Sequence, residues 1–240
     1  MDFAGPMWGA GEGVLRSFVR VDGECVAAAI TRVATRACGP DGLPIPAYKA
    51  FRASLLPLLV ELFNASLCCG DFPALWKFSL VTPLPKVRSP VGCFDFRPIS
   101  LLCALSKVLE RLVFDQVVGW CRDGGFLDPH QTGFREGLGT RTAVLRFVDD
   151  IRQGIDSRSV TVAVFMDFTK AFDSVDHGLL LGKLDGFGFS RDVLRWFHSY
   201  LFGRMQAVWD DCGGVSEWLP LRGGVPQGSV LGPLLFSLYI

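Results

Sequence analysis

Ser159-Val160-Thr161-Val162-Ala163-Val164-Phe165-Met166-Asp167-Phe168 is the stretch on which the fold turns. Val160, Val162, Ala163, Val164, Phe165 and Met166 form a nearly continuous apolar run rich in β-branched residues, the pattern of a strand buried on both faces. Such a strand predicts a sheet with other elements packed over it, and it places Asp167 at its C-terminal end. A carboxylate emerging from a buried strand is costly unless something compensates it. A helix N-terminus or a neighbouring lysine would do so, and so would a divalent cation held by hard oxygen ligands. From this stretch alone both readings stand.

Working outward, Lys170-Ala171-Phe172-Asp173 leads into a helix expected from about Asp176 to Leu184, with Gly186 at its C′ position. A second helix is expected around Arg191 to Phe202, and Met205 to Trp209 can pair with Trp218 to Leu221 across the turn Asp210 to Gly214. On the N-terminal side, Ser106 to Trp120 and Arg141 to Ile155 carry helical periodicity. Phe78 to Pro83 and Phe96 to Leu102 read as two strands of a hairpin, joined by a basic loop containing Lys86. Glu24 to Arg36 suits a helix that Cys38-Gly39-Pro40-Asp41-Gly42 ends. Ala47 to Cys69 suits another, kinked or restarted near Pro57 and stopped by Gly70. Helices and strands that segregate in this way define an α+β chain. Met1 to Gly23 is a Gly-rich leader without a clear assignment. Its Gly9, Gly11 and Gly13 follow no predicted strand, so they make no dinucleotide fingerprint.

Composition narrows the function. The 240 residues are 50% hydrophobic and 20% charged, with 24 basic residues balancing 24 acidic ones, which excludes a disordered tail and removes the simplest argument for a nucleic-acid partner. The charge is nevertheless segregated. Asp71 to Leu112 carries six basic residues against three acidic, and Asp149 to Asp185 carries seven aspartates against four basic residues. A basic segment followed by an acidic one suits an anionic substrate held beside metal ions, and it suits two solvated faces equally. The eight cysteines contain no CxxC pair and the three histidines are scattered, so a zinc site has no support. No signal-peptide pattern opens the chain and no apolar run is expected to reach the length of a membrane span. The expectation is an intracellular protein, nuclear or cytoplasmic, with reduced thiols and no membrane.

Among the remaining carboxylates, Asp173 and Asp176 lie where a helix begins, which favours capping over metal ligation. Phe147-Val148-Asp149-Asp150 has the aromatic-x-Asp-Asp form of a polymerase metal turn. It falls within a helical pattern of Val144, Leu145, Val148, Ile151 and Ile155, so it reads as a solvated helix face. His177 and His198 have no partnered nucleophile, which leaves a hydrolase triad unsupported. Gly223-Gly224-Val225-Pro226-Gln227-Gly228-Ser229 is either an ordinary turn or a loop whose glycines let backbone approach a flat substrate while Gln227 offers a donor and an acceptor.

Taken in order, Gly39-Pro40-Asp41-Gly42, Trp76-Lys77, Pro83-Leu84-Pro85-Lys86, Phe96-Arg97-Pro98-Ile99-Ser100-Leu101, Gln131-Thr132-Gly133-Phe134-Arg135, Met166-Asp167-Phe168-Thr169-Lys170-Ala171-Phe172-Asp173 and Gly224-Val225-Pro226-Gln227-Gly228-Ser229 form an ordered set. That set resembles the reverse transcriptase domain of non-long-terminal-repeat (LINE-type) retrotransposons, over roughly Glu24 to Ile240. The resemblance implies a right-hand polymerase fold with helical fingers, a β-hairpin and an incomplete palm sheet. It implies copying of an RNA template from a DNA primer with deoxynucleoside triphosphates and two Mg2+ ions. Asp167 would then be the catalytic, metal-binding aspartate, with the Phe168 carbonyl as a second ligand. Lys86 and Arg97 would hold the triphosphate. Phe172 would crowd a ribose 2′-hydroxyl and so favour deoxynucleotides. Gln227 and Gly228 would line the nucleotide pocket.

The resemblance divides the chain into a leader (1–23), a fingers-like part (24–158) and a partial palm (159–240). The apolar, uncharged end from Val230 to Ile240 reads as a chain cut short, before the paired-aspartate turn and the thumb that the family carries. A polypeptide with one such carboxylate is expected to be inactive alone and active in an intact parent. The alternatives are a non-catalytic RNA-binding remnant and the product of a decayed element. Oligomeric state is not fixed by the sequence.

Overall fold

The computed structural model describes residues 14–35, 37–210 and 213–240. Gly9, Gly11 and Gly13 of the leader, and Cys212, lie outside the described residues.

Helix α1 (Gly23–Arg32) starts where the Asp22 side chain accepts from the Cys25 amide at 2.8 Å, and it buries Val26, Ala29 and Ile30. The next helical stretch is broken at Phe51 into α2 (Ile45–Ala50) and α3 (Arg52–Cys69), and α3 runs through Pro57. The expected interruption at Pro57 is therefore displaced. A proline forfeits one helical hydrogen bond, and the downstream face, anchored in the core by Leu59, Phe63 and Leu67, holds the helix together across it. Gly70, in the left-handed region, ends α3 as expected. With a mean hydropathy of 1.3 over 18 residues, α3 is long and apolar enough to cross a membrane, contrary to the sequence expectation. Glu61 and Asn64 interrupt its apolar run but not its average. In this fold Asn64 is buried, bonded through its side-chain amide to both the N–H and the C=O of Val21, each at 2.8 Å.

The expected hairpin is present. Strand β1 (Phe78–Pro85) pairs antiparallel with β2 (Phe96–Leu101), with Leu80 opposite Leu101 and Leu84 opposite Arg97. Strand β3 (Met205–Val208) lies parallel to β1 on its other side, and β4 (Leu219–Pro220) pairs antiparallel with β3, so the sheet is mixed, in the order β2-β1-β3-β4. Alternation along β1 gives the sheet two environments. Ser79 and Val81 are buried, whereas Leu80, Thr82 and Leu84, with Ile99 and Leu101 of β2, line a cavity of about 550 Å³ that Ala37, Cys38, Gly39 and Trp209 complete.

The core lies between α1, α3, α4 (Ala104–Asp123), α6 (His177–Gly186), α7 (Arg191–Leu201) and α8 (Gly232–Tyr239). Trp196 is its largest fully buried side chain. It stacks on Tyr200 at 5.6 Å and donates its indole N–H to Ser66 Oγ at 3.1 Å. Asp176 caps α6 by accepting from the Leu179 amide at 2.8 Å. Gly186 is inside α6, not beyond it. Gly188, at φ 82°, takes the left-handed position instead, because the turn closes on Leu184 through the Phe187 and Phe189 amides.

The palm strand is the main correction. Residues 159–168 form no strand. They are irregular and exposed throughout, with Val160 90%, Phe165 83% and Met166 88% accessible. Strand geometry persists only where a ladder partner satisfies the backbone, and no described residue supplies one. Helix α5 (Thr140–Asp156), which precedes this stretch, buries none of its residues, and Phe147 meets Phe165 with ring centroids at 5.6 Å. Asp149 and Asp150 are exposed on α5, in keeping with a solvated helix face. The observed fold is thus helical with a small mixed sheet, without the buried strand that the apolar run suggested.

Candidate nucleotide-binding site

The segment Gly223–Ser229 is held from three sides. The Gly224 amide donates to Val175 O and the Val225 amide to Phe172 O, each at 2.8 Å, fastening the loop to the turn that carries Phe172 and Asp173. Buried His177 places Nε2 2.7 Å from Gly224 O. The Ser100 amide of β2 donates to Gln227 O at 2.7 Å, and the Gln227 side chain donates through Nε2 to Asp173 Oδ1 at 3.1 Å. Two glycines make this closeness possible. A Cβ on Gly224, at φ +79°, would stand 2.9 Å from both Asp173 Cα and Phe172 O, and one on Gly228, at φ +124°, would stand 2.8 Å from Ser100 O. Neither conformation nor space is open to another residue.

Phe172 is half-buried. Its ring lies 5.4 Å from Phe236 of α8 and 6.0 Å from Phe134, while Phe168 packs edge-on against the same Phe236 at 5.9 Å. The sequence after the glutamine loop therefore gathers Phe168, Phe172, Gln227 and Gly228 around α8. Lys86 follows β1 directly. Its amide donates to Asp95 O at 2.7 Å and its Nζ to Phe94 O at 2.9 Å, and the Phe94 ring receives Lys170 Nζ at 4.8 Å in a cation–π contact. The hairpin tip is thereby tied to the turn that follows Asp167. Asp95 is held below the usual carboxylate range by the Val91 and Gly92 amides, with Lys86 adding to the effect. Arg97 is exposed on β2, opposite Leu84.

Asp167 is exposed in the unpaired stretch. Among the described residues, no three His, Cys, Asp or Glu side chains come together to hold a metal ion. Asp167 and the Phe168 carbonyl offer hard oxygens of the kind magnesium prefers, but two donors do not form a closed site, so the residues present do not fit a pair of ions. Asp176 serves as a cap. Asp173, read from sequence as a cap as well, instead orients Gln227. The seven described cysteines are all unpaired thiols.

Two further residues take structural parts that the sequence reading did not assign. His177 gave no signal beyond its isolation. Glu110 did give one: a carboxylate on the apolar stripe of Val108, Leu109, Leu112 and Val113. Its Oε2 accepts from the amides of Val230 at 2.7 Å and Leu231 at 3.1 Å, and from Tyr200 OH at 3.3 Å. Burial raises its pKa, outweighing the opposing effects of Arg204, the two amides and Lys107.

A basic hairpin, an aromatic turn and a glycine-rich loop docked on a strand thus lie in this order along the chain. A family model described as "Reverse transcriptase (RNA-dependent DNA polymerase)" matches residues 84–240, more than half of the chain, and the chain belongs to that family. Its curated relatives are proteins of non-long-terminal-repeat retrotransposons. In Drosophila melanogaster, the probable RNA-directed DNA polymerase from transposon BS is 34% identical over 84% of this chain and 22% of its own length. The RNA-directed DNA polymerase from mobile element jockey is 34% identical over 85% of this chain and 22% of its own. The putative 115 kDa protein in type-1 retrotransposable element R1DM is 30% identical over 89% and 20%. The chain spans about a fifth of the length of these relatives.

Proposed function

We propose that this chain supplies the fingers and part of the palm of a right-hand RNA-directed DNA polymerase, and that residues 86–97, 167–173 and 224–229 together form its nucleotide site. The single observation that carries the reading is the docking of Gln227 and Gly228 on Ser100 of β2 and on Asp173. It brings the backbone of the fingers hairpin and the turn after Asp167 to one loop. Lys86 and Arg97 would hold the triphosphate, because basic side chains on a hairpin offset the charge on phosphate oxygens. Phe172, braced by Phe236 and Phe134, would stand beneath the sugar and repel a 2′-hydroxyl. Gln227, held by Asp173, would line the pocket with Gly228, whose lack of a side chain leaves the base unobstructed.

Magnesium belongs to this proposal as the partner of the triphosphate. Asp167 and the Phe168 carbonyl would contribute two oxygens to it, and no step is assigned to the ions from these two alone. The substrates in this reading are an RNA template, a DNA primer and deoxynucleoside triphosphates. Residues 24–158 would act as fingers and 159–240 as palm. By itself the 240-residue chain would bind nucleic acid without extending a primer.

The test is retention of an RNA template annealed to a DNA primer by the purified chain across a salt series. Removing one phosphate-binding side chain should flatten the dependence of binding on salt by about one unit of log–log slope. Lys86→Ala and Arg97→Ala are expected each to weaken binding of deoxynucleotide to that complex while leaving the melting temperature unchanged. Equal nucleotide binding by the wild type and the double variant would refute the assignment.

A further inference from the structure

We infer that Glu110 is a positioning residue that fixes the Gln227-Gly228 loop from inside the core. The inference rests on the nucleotide role proposed above for that loop, and it gives the role a structural support far from the substrate.

The N-cap residue of helix α8, Leu231, supplies no side-chain cap. The donors that a helix start leaves open are the N–H groups of its first turn. Here the Val230 and Leu231 amides, at that start, both point at one carboxyl oxygen, Glu110 Oε2, contributed by α4 from 120 and 121 positions earlier in the chain. Ser229 supports the same corner, with Oγ donating to Pro226 O at 2.8 Å and accepting from the Gly232 amide at 2.9 Å. The other end of the loop is held by Ser100, whose amide donates to Gln227 O. Ser100 and Glu110 belong to one continuous piece of chain, β2 running into α4, and Arg97 lies three positions before Ser100. One rigid corner therefore grips the loop at Gln227 and again at Val230 and Leu231, and the same corner carries Arg97. Held in this way, the glutamine and the arginine keep a fixed register.

The arrangement is a poor way to stabilise a core. Glu110 is fully buried and Arg204 nearly so, yet Glu110 Oε1 and Arg204 Nη1 and Nη2 have no hydrogen-bond partner. Arg204 is held by Nε donating to Tyr200 O at 2.7 Å and by stacking 4.4 Å over the Tyr200 ring. Among the described residues Glu110 and Arg204 form no ion pair, so each buried charged group carries its own desolvation cost, and apolar side chains of similar size at both positions would avoid it. The carboxyl earns its place by what it orients.

The experiment is amide hydrogen exchange on the 240-residue chain, read beside thermal melting, for the wild type, Glu110→Gln, Glu110→Leu and the double variant Glu110→Leu with Arg204→Leu. Loss of the carboxyl should speed exchange at Val230, Leu231 and Ser100 roughly tenfold. Glu110→Gln, which keeps one acceptor oxygen, should fall between. The double variant should recover the wild-type melting temperature while its loop still exchanges fast, a separation that a merely structural residue would not produce. Exchange that slows in step with the recovered melting temperature overturns the inference, and so does unchanged exchange in Glu110→Leu. A parallel titration with deoxythymidine triphosphate separates the two readings. If the wild type binds none, the nucleotide role of the loop fails, and the exchange data still decide whether Glu110 holds it.

Discussion

Replacing Gly228 with alanine should destabilise the chain by about 2–6 kcal/mol, the sum of a strained backbone (about 1–3) and a buried amide left without its acceptor (about 1–3). The geometry sets both parts. At φ +124° an alanine is held in a region that L-residues rarely adopt, and its methyl would stand 2.8 Å from Ser100 O. That oxygen belongs to β2, paired to β1 along its whole length, so the loop must move instead. Moving it breaks the 2.7 Å bond from the Ser100 amide to Gln227 O, the contact on which the site depends. Gly182→Ala is the internal control. It lies mid-helix in α6, and a Cβ there meets nothing within 4 Å, so it should stabilise by about 0.5–1 kcal/mol. Urea unfolding followed by tryptophan fluorescence, with midpoints compared at constant m, measures both variants. A Gly228→Ala protein within about 0.5 kcal/mol of the wild type, the range usual for surface substitutions, would refute the docking of this loop on β2.

Trp196→Ala should cost about 3–5 kcal/mol, because it empties the largest fully buried volume and abandons the stack on Tyr200; chemical denaturation reads this directly. Stability should also fall as pH rises above about 4.5, the ordinary glutamate value, because Glu110 has a raised pKa in the folded state. Between the two values the native state binds more protons than the unfolded chain, so the contribution is complete below the lower value and gone once the pH has passed the upper one. Glu110→Gln should flatten that part of the stability–pH curve, and a curve of unchanged shape would contradict the burial of its carboxyl.

Most of the elements were legible because each carries a local cause: the Asp176 cap, the stop at Gly70, and the two short strands of the hairpin joined by a basic loop. The glutamine loop was legible as a Gly/Pro loop with close backbone approach, since that approach is what its glycines are for. The stretch at 159–168 was not. β-branched patterning reports that a strand suits those residues, but a strand exists only with its neighbours, and neighbours are a tertiary property. Asp173 and Asp176 illustrate a finer limit. Both precede α6 and both look like caps, yet only Asp176 lies where its oxygen reaches the Leu179 amide, while Asp173 turns to Gln227, 54 positions later. Glu110 was missed although its pattern was visible. A lone carboxylate on an apolar stripe calls for buried donors, and here two of the three are main-chain amides, which no residue type advertises.

The proposed function gives Asp167 the metal-binding role in polymerase chemistry. Its most direct test replaces the matching stretch of the Drosophila melanogaster jockey polymerase with residues 24–240 of this chain and measures RNA-templated primer extension with Asp167 intact and as Asp167→Asn. The expected result is extension by the intact chimera and a loss of at least about a hundredfold in the variant, the scale on which removing one preorganised charge-stabilising group acts. Equal extension by the two would contradict it.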